Sequence, residues 1–96
     1  MHLVEDPEAQ LALDDAVEKW PGTPVAWEAI TWVLVHDPQV GVPVTEDGTI
    51  RSFTYVGARS IQQPTITVVY EIVGRHEVII RRARFAEPKH GQAGRA

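Results

Sequence analysis

The chain has 96 residues, a net charge of −4, an apolar fraction of 44% and no cysteine. That length allows about one small domain with a single two-layer core, and the missing thiols exclude a disulfide framework and a thiolate metal site. No stretch approaches the roughly 18 apolar residues of a membrane span, and the opening MHLVEDPEAQ lacks the basic-then-apolar order of a secretory leader, so the chain is expected in the cytoplasm with no membrane partner.

The first predicted element is a helix from Asp6 to Trp20. Asp6 suits the cap, Pro7 the first helical position, and Glu8 the positive end of the helix dipole. Ala9, Ala12 or Leu13, Ala16, Val17 and Trp20 recur at spacings of three and four, which makes one apolar face. WPGTP stops that helix, and Thr23-Pro24 opens a second one that ends at Asp37, just before Pro38. So short a link predicts an antiparallel helical hairpin. Trp27 and Trp32 stand five residues apart, so both cannot centre on one helical face and one is expected to be exposed.

From residue 40 the pattern changes to period two. GVPVTEDGTIRSFTYVGA carries an Asp47-Gly48 turn between strand-like runs. TITVVYEIV (65–73) alternates cleanly, with Ile66, Val68, Tyr70 and Ile72 on one side. Gly74-Arg75-His76 turns the chain into EVIIRRARF, and residues 87–96 read as a flexible tail after an ordered core over about 6–86. The expected fold is a single α+β domain, residues 1–96, with an N-terminal antiparallel helical hairpin on a three- to four-stranded antiparallel sheet. One face of that sheet has no cover.

Charge divides along the same line. Residues 1–48 hold ten acids against Lys19 alone, a net of −9, while residues 49–96 hold eight bases against three acids, a net of +5. A basic half in an acidic chain points to a polyanion or an acidic partner, or to attraction between the halves. Arg51, Arg59, Arg81, Arg82 and Arg84 are the candidate binding residues, because guanidinium groups grip phosphate or carboxylate through paired donors. In a regular strand Arg82 and Arg84 share a face and Arg81 takes the other, but Val78-Ile79-Ile80 is an unbroken apolar run, and a bulge near Arg81-Arg82 would alter that assignment. Charges that guard a strand edge explain one or two such residues rather than three in four. His2, His36, His76 and His90 lack metal-ligand spacing, and no phosphate loop or nucleophile motif is present.

AWEAITWVLVHDPQVG, PTITVVYEIVGRHEVII and RRARF, in that order, resemble the RelE/ParE superfamily of toxins from bacterial type II toxin–antitoxin pairs. The resemblance spans about residues 25–85 and is most characteristic at Val-Val-Tyr-Glu-Ile. It implies a helical hairpin on a sheet, neutralised by an acidic, partly disordered cognate antitoxin. In the RelE branch it implies cleavage of mRNA on the ribosome without metal or other cofactor. The ribose 2′-hydroxyl attacks the adjacent phosphate, and basic side chains stabilise the transition state, a catalytic role that falls here to Arg82 and Arg84. In the ParE branch it implies a non-catalytic protein that holds DNA gyrase. Thr67 stands where the ribonuclease branch usually has an arginine, SIQQP stands where it has basic residues, and Phe85 and His90 are the nearest residues to its closing histidine or tyrosine.

Overall fold

A computed structural model describes residues 2–88. It is an α+β domain of two helices and one five-stranded mixed sheet. The chain opens with β1 (His2–Glu5), then runs α1 (Pro7–Lys19), α2 (Thr23–His36), β2 (Val42–Pro43), β3 (Ile50–Tyr55), a 3₁₀ turn (Arg59–Ile61), β4 (Thr65–Val73) and β5 (Glu77–Ala86). Strand order across the sheet is β1-β5-β4-β3-β2.

Two expectations are corrected. The helices are preceded by a strand, and that strand lies parallel to β5, so the sheet is mixed rather than antiparallel. HLVE is too short to show periodicity. It is held by its partner, pairing Leu3 with Val78 and Glu5 with Ile80. Two very short strands, β1 and β2, bring the total to five instead of three or four.

The helix ends follow from local chemistry. Asp6 accepts a hydrogen bond from the Glu8 N–H at 3.3 Å, and Pro7 occupies the first turn of α1. Thr23 does not cap α2. Its buried hydroxyl donates back to the Trp20 and Ala16 carbonyls at 2.6 and 3.2 Å, tying the start of α2 to the end of α1. Asp37 receives the chain where α2 stops.

Both helices cover one face of the sheet. Ala9, Ala26, Trp27, Ile30 and Leu34 meet Ile66, Val68, Tyr70, Val78 and Ile80 in one buried cluster. Full burial of each large aliphatic side chain there contributes about 1.5–3 kcal/mol. Trp27 is buried and donates its indole N–H to Glu5 Oε2 at 2.7 Å, whereas Trp32 is 61% exposed, as the five-residue spacing requires.

At the far end of the sheet, Tyr70 closes the core. Its hydroxyl donates to the Pro38 carbonyl at 2.6 Å and accepts from the Gly41 N–H at 3.0 Å. A Cβ on Gly41 would lie 2.7 Å from that hydroxyl, so only glycine fits. The predicted turns are present at Asp47-Gly48 and at Gly74, where φ is +63°. The expected flexible tail falls outside the described residues from 89 onward. Of its first two residues, Glu87 faces Arg59 and Pro88 is buried.

Candidate nucleic-acid interface

The bulge that the RRARF stretch left open is real. Along β4 and β5 the register runs Ile72–Val78, Glu71–Ile79 and Tyr70–Ile80, then slips to Val69–Arg82, Val68–Ala83 and Thr67–Arg84. Arg81 is the extra residue. Before it Val78 and Ile80 face the helices; after it Ala83 and Phe85 do, with Phe85 stacked on Trp27 at 5.9 Å between ring centroids. A regular strand would have sent Arg82 and Arg84 towards the core. The bulge instead turns both to the open face, the opposite outcome to simple alternation from Ile80.

On that face the arginines stand beside Thr67 and Val69 of β4, with Ser52 and Thr54 of β3 beyond. Thr54 and Thr67 exchange a hydroxyl hydrogen bond of 3.1 Å. Thr67, Val69, Arg82 and Arg84 line a hollow of about 440 Å³. Both arginines are exposed, and among the described residues neither guanidinium forms a salt bridge. Glu8 borders a neighbouring hollow that also touches Arg82.

The other three candidate arginines are engaged: Arg81 shares the open face, paired with Glu71 next to Val69, whereas Arg51 and Arg59 lie elsewhere. Arg81 bonds Glu71 through Nη2 at 2.7 Å and Nε at 3.0 Å and reaches Asp6 at 3.5 Å. The hydrogen bonds that Arg81 donates to Glu71 hold its proton more firmly than usual, and Asp6 adds to that. Arg51 belongs to the helix side of the sheet and is consumed by the 39–48 loop, donating to the carbonyls of Gly48, Gln39 and Gly41 at 2.9, 3.1 and 2.8 Å. Arg59 sits on the 3₁₀ turn, 3.6 Å from Glu87. The five therefore do not form one basic surface: Arg82 and Arg84 make a pair, and Arg51 and Arg59 are structural or rim residues.

What the pair can do chemically is limited and clear. Two unpaired guanidinium groups on alternate positions of one strand, roughly 7 Å apart along the chain, match successive phosphates or carboxylates. The side chains lining the hollow carry no group that titrates near neutrality. His36 stacks on Trp32 at 3.9 Å on the exposed side of α2, with Nδ1 2.8 Å from the Trp32 carbonyl. His76 lies in the β4–β5 turn, and His90 is outside the described residues. The alternation of residues 65–73 made Thr67 and Val69 legible on the face opposite Ile66 and Val68; the partnering of Arg82 and Arg84 with them was not legible. No three His, Asp or Glu side chains among the described residues gather as metal ligands, and no helix is long and apolar enough to cross a membrane. The chain matches no protein-family model and no curated protein.

Proposed function

We propose that this protein is a RelE/ParE-type toxin that binds RNA phosphates on its open sheet face through Arg82 and Arg84. The observation carrying this reading is the Arg81 bulge, which turns Arg82 and Arg84 to the sheet face opposite the helices, where among the described residues neither has an ion-pair partner. The resemblance adds a second support. Thr67, which takes the place of the branch's usual strand arginine, is the direct cross-strand partner of Arg84. The guanidinium is thereby displaced by about 5 Å, the spacing of paired residues, and still overlooks the same hollow.

Within that reading Arg82 and Arg84 hold the scissile phosphate and its neighbour, and they stabilise the charge that accumulates as the 2′-hydroxyl attacks and the 5′-oxygen of the next nucleotide leaves, giving a 2′,3′-cyclic phosphate while water takes up the first proton and supplies the second. A second reading, a non-catalytic member of the same fold that holds a protein such as gyrase, is favoured by the lining of the hollow, which offers no proton-transfer group.

Induced expression should arrest growth, and a co-expressed acidic antitoxin from the adjacent gene should restore it. Normal growth with folded protein accumulating to high level would refute the toxin reading. In a translation reaction, cleaved message lost on Arg82→Ala supports the nuclease, whereas arrest with intact message supports the second reading.

A further inference from the structure

We propose that the hollow where α1, α2 and β1 meet binds a small organic cation, an ammonium group on an apolar body, with Glu5 as its counter-ion. The hollow lies on the helix side of the sheet, opposite the face that carries Arg82 and Arg84, so the inference does not rest on the toxin reading.

Its walls follow from local periodicity. Leu3 and Glu5 alternate along β1 and turn towards the helices, where Leu3 packs on the core and Glu5 meets Trp27. Leu13 and Val17 stand one turn apart on α1, and Val25 and Glu28 stand three residues apart on α2. Val17 and Val25 are 39% and 64% exposed, so apolar surface is left uncovered between the helices. The volume is about 520 Å³, inside the roughly 300–1,000 Å³ of small-molecule sites. A docked helix would need a longer bed. At about 1.5 Å per residue, the lining extends about 6 Å along α1 and about 10 Å along α2, from Pro24 to Thr31.

The charge of the lining selects the ligand. Glu5 and Glu28 line the hollow, and no lysine, arginine or histidine does. Among the described residues neither carboxylate forms a salt bridge. Glu5 is half-buried, and its Oε2 accepts the Trp27 indole N–H at 2.7 Å, which fixes the carboxylate and leaves Oε1 without a partner among the described residues. A carboxylate held against apolar side chains favours a cation beside it and repels an anion. Lys19, the one lysine or arginine of residues 1–48, does not fill that role, because its ammonium lies over the Trp20 ring, 5.0 Å from the centroid. An ammonium ligand donates to Glu5 Oε1, and its hydrocarbon body covers Leu3, Leu13, Val17 and Val25.

The test titrates the full chain with phenethylamine, phenethyl alcohol and phenylacetate and follows the indole N–H resonances by NMR. Phenethylamine is expected to shift the Trp27 resonance and to bind at least about tenfold more tightly than the alcohol, through a charge-assisted hydrogen bond that the alcohol lacks. Phenylacetate is expected not to saturate. Glu5→Gln keeps an acceptor for the indole and removes the charge, so it should reduce the amine to the affinity of the alcohol. Val25→Lys changes an exposed side chain and should weaken the amine about tenfold by bringing an ammonium of its own, with an unchanged melting temperature. Alcohol or phenylacetate binding as tightly as the amine, a preference that survives Glu5→Gln, or shifts confined to Trp20 and Trp32 would overturn the inference.

Discussion

Deleting Arg81 should leave stability nearly unchanged, whereas inserting one alanine between Arg82 and Ala83 should lower it steeply. The bulge supplies the reason. Arg81 is an extra residue opposite the Val69/Tyr70 step, so its removal regularises the ladder and leaves Ile80, Ala83 and Phe85 facing the helices. What is lost is an exposed set of ion pairs to Glu71 and Asp6, of the kind that adds little to stability. The insertion shifts the phase. Phe85 then leaves the core side, forfeiting about 1.5–3 kcal/mol of burial and about 0.5–1.5 kcal/mol of stacking on Trp27. Arg84 is turned towards the helices and adds a desolvation penalty. Against a total stability of about 5–15 kcal/mol that is a large fraction, and at a slope near 1 kcal/mol per molar urea the midpoint falls by about 2–4 M. Urea titrations followed by tryptophan fluorescence check this, with Arg81→Ala as the control for the lost ion pairs. Cooperative unfolding of the deletion at the Arg81→Ala midpoint is expected. A deletion as damaging as the insertion would show that Arg81 does not set the phase.

Tyr70→Phe should cost about 1–3 kcal/mol, because the Gly41 N–H loses its buried acceptor and the Pro38 carbonyl its donor; chemical denaturation measures it. Burial pushes the Tyr70 hydroxyl above its ordinary value of 10.0. The neutral form is the native one, so the stability it supports is intact below about pH 10 and lost as pH climbs from there to the raised native value. Tyr70→Phe should flatten that alkaline limb. Asp47 behaves in the opposite sense. Hydrogen bonds from Thr45 and Thr49 hold its carboxyl below the ordinary value, so its contribution is present above the unfolded value and lost as pH falls through the lowered one. Asp47→Asn should remove that dependence from an acid titration of the hairpin. Binding of a short single-stranded RNA should show a salt slope near −1.4 for two phosphate contacts, and Arg82→Ala/Arg84→Ala should abolish it while Arg51→Ala should not.

The helices and long strands were legible because their signals are local. Asp6-Pro7, the Pro21-Gly22 stop, the clean alternation of residues 65–73 and the Asp47-Gly48 turn each specify backbone on their own. β1 was hidden because HLVE acquires strand geometry only by pairing with residues 77–80, a contact more than 70 positions away. The site was legible in composition and opaque in placement. Sequence singles out Arg51 and Arg59 as readily as Arg82 and Arg84, yet free loop carbonyls capture the first and Glu87 faces the second. The face taken by RRARF depends on where the ladder slips, and the run Val78-Ile79-Ile80 offers no alternation from which to read it.

The central claim is that the paired arginines of the open face act on RNA, and one reconstituted translation reaction tests it most directly. Wild-type protein should halt synthesis with cleavage of the message, and folded Arg82→Ala/Arg84→Ala should leave both synthesis and message intact. A double variant as potent as the wild type would contradict the account.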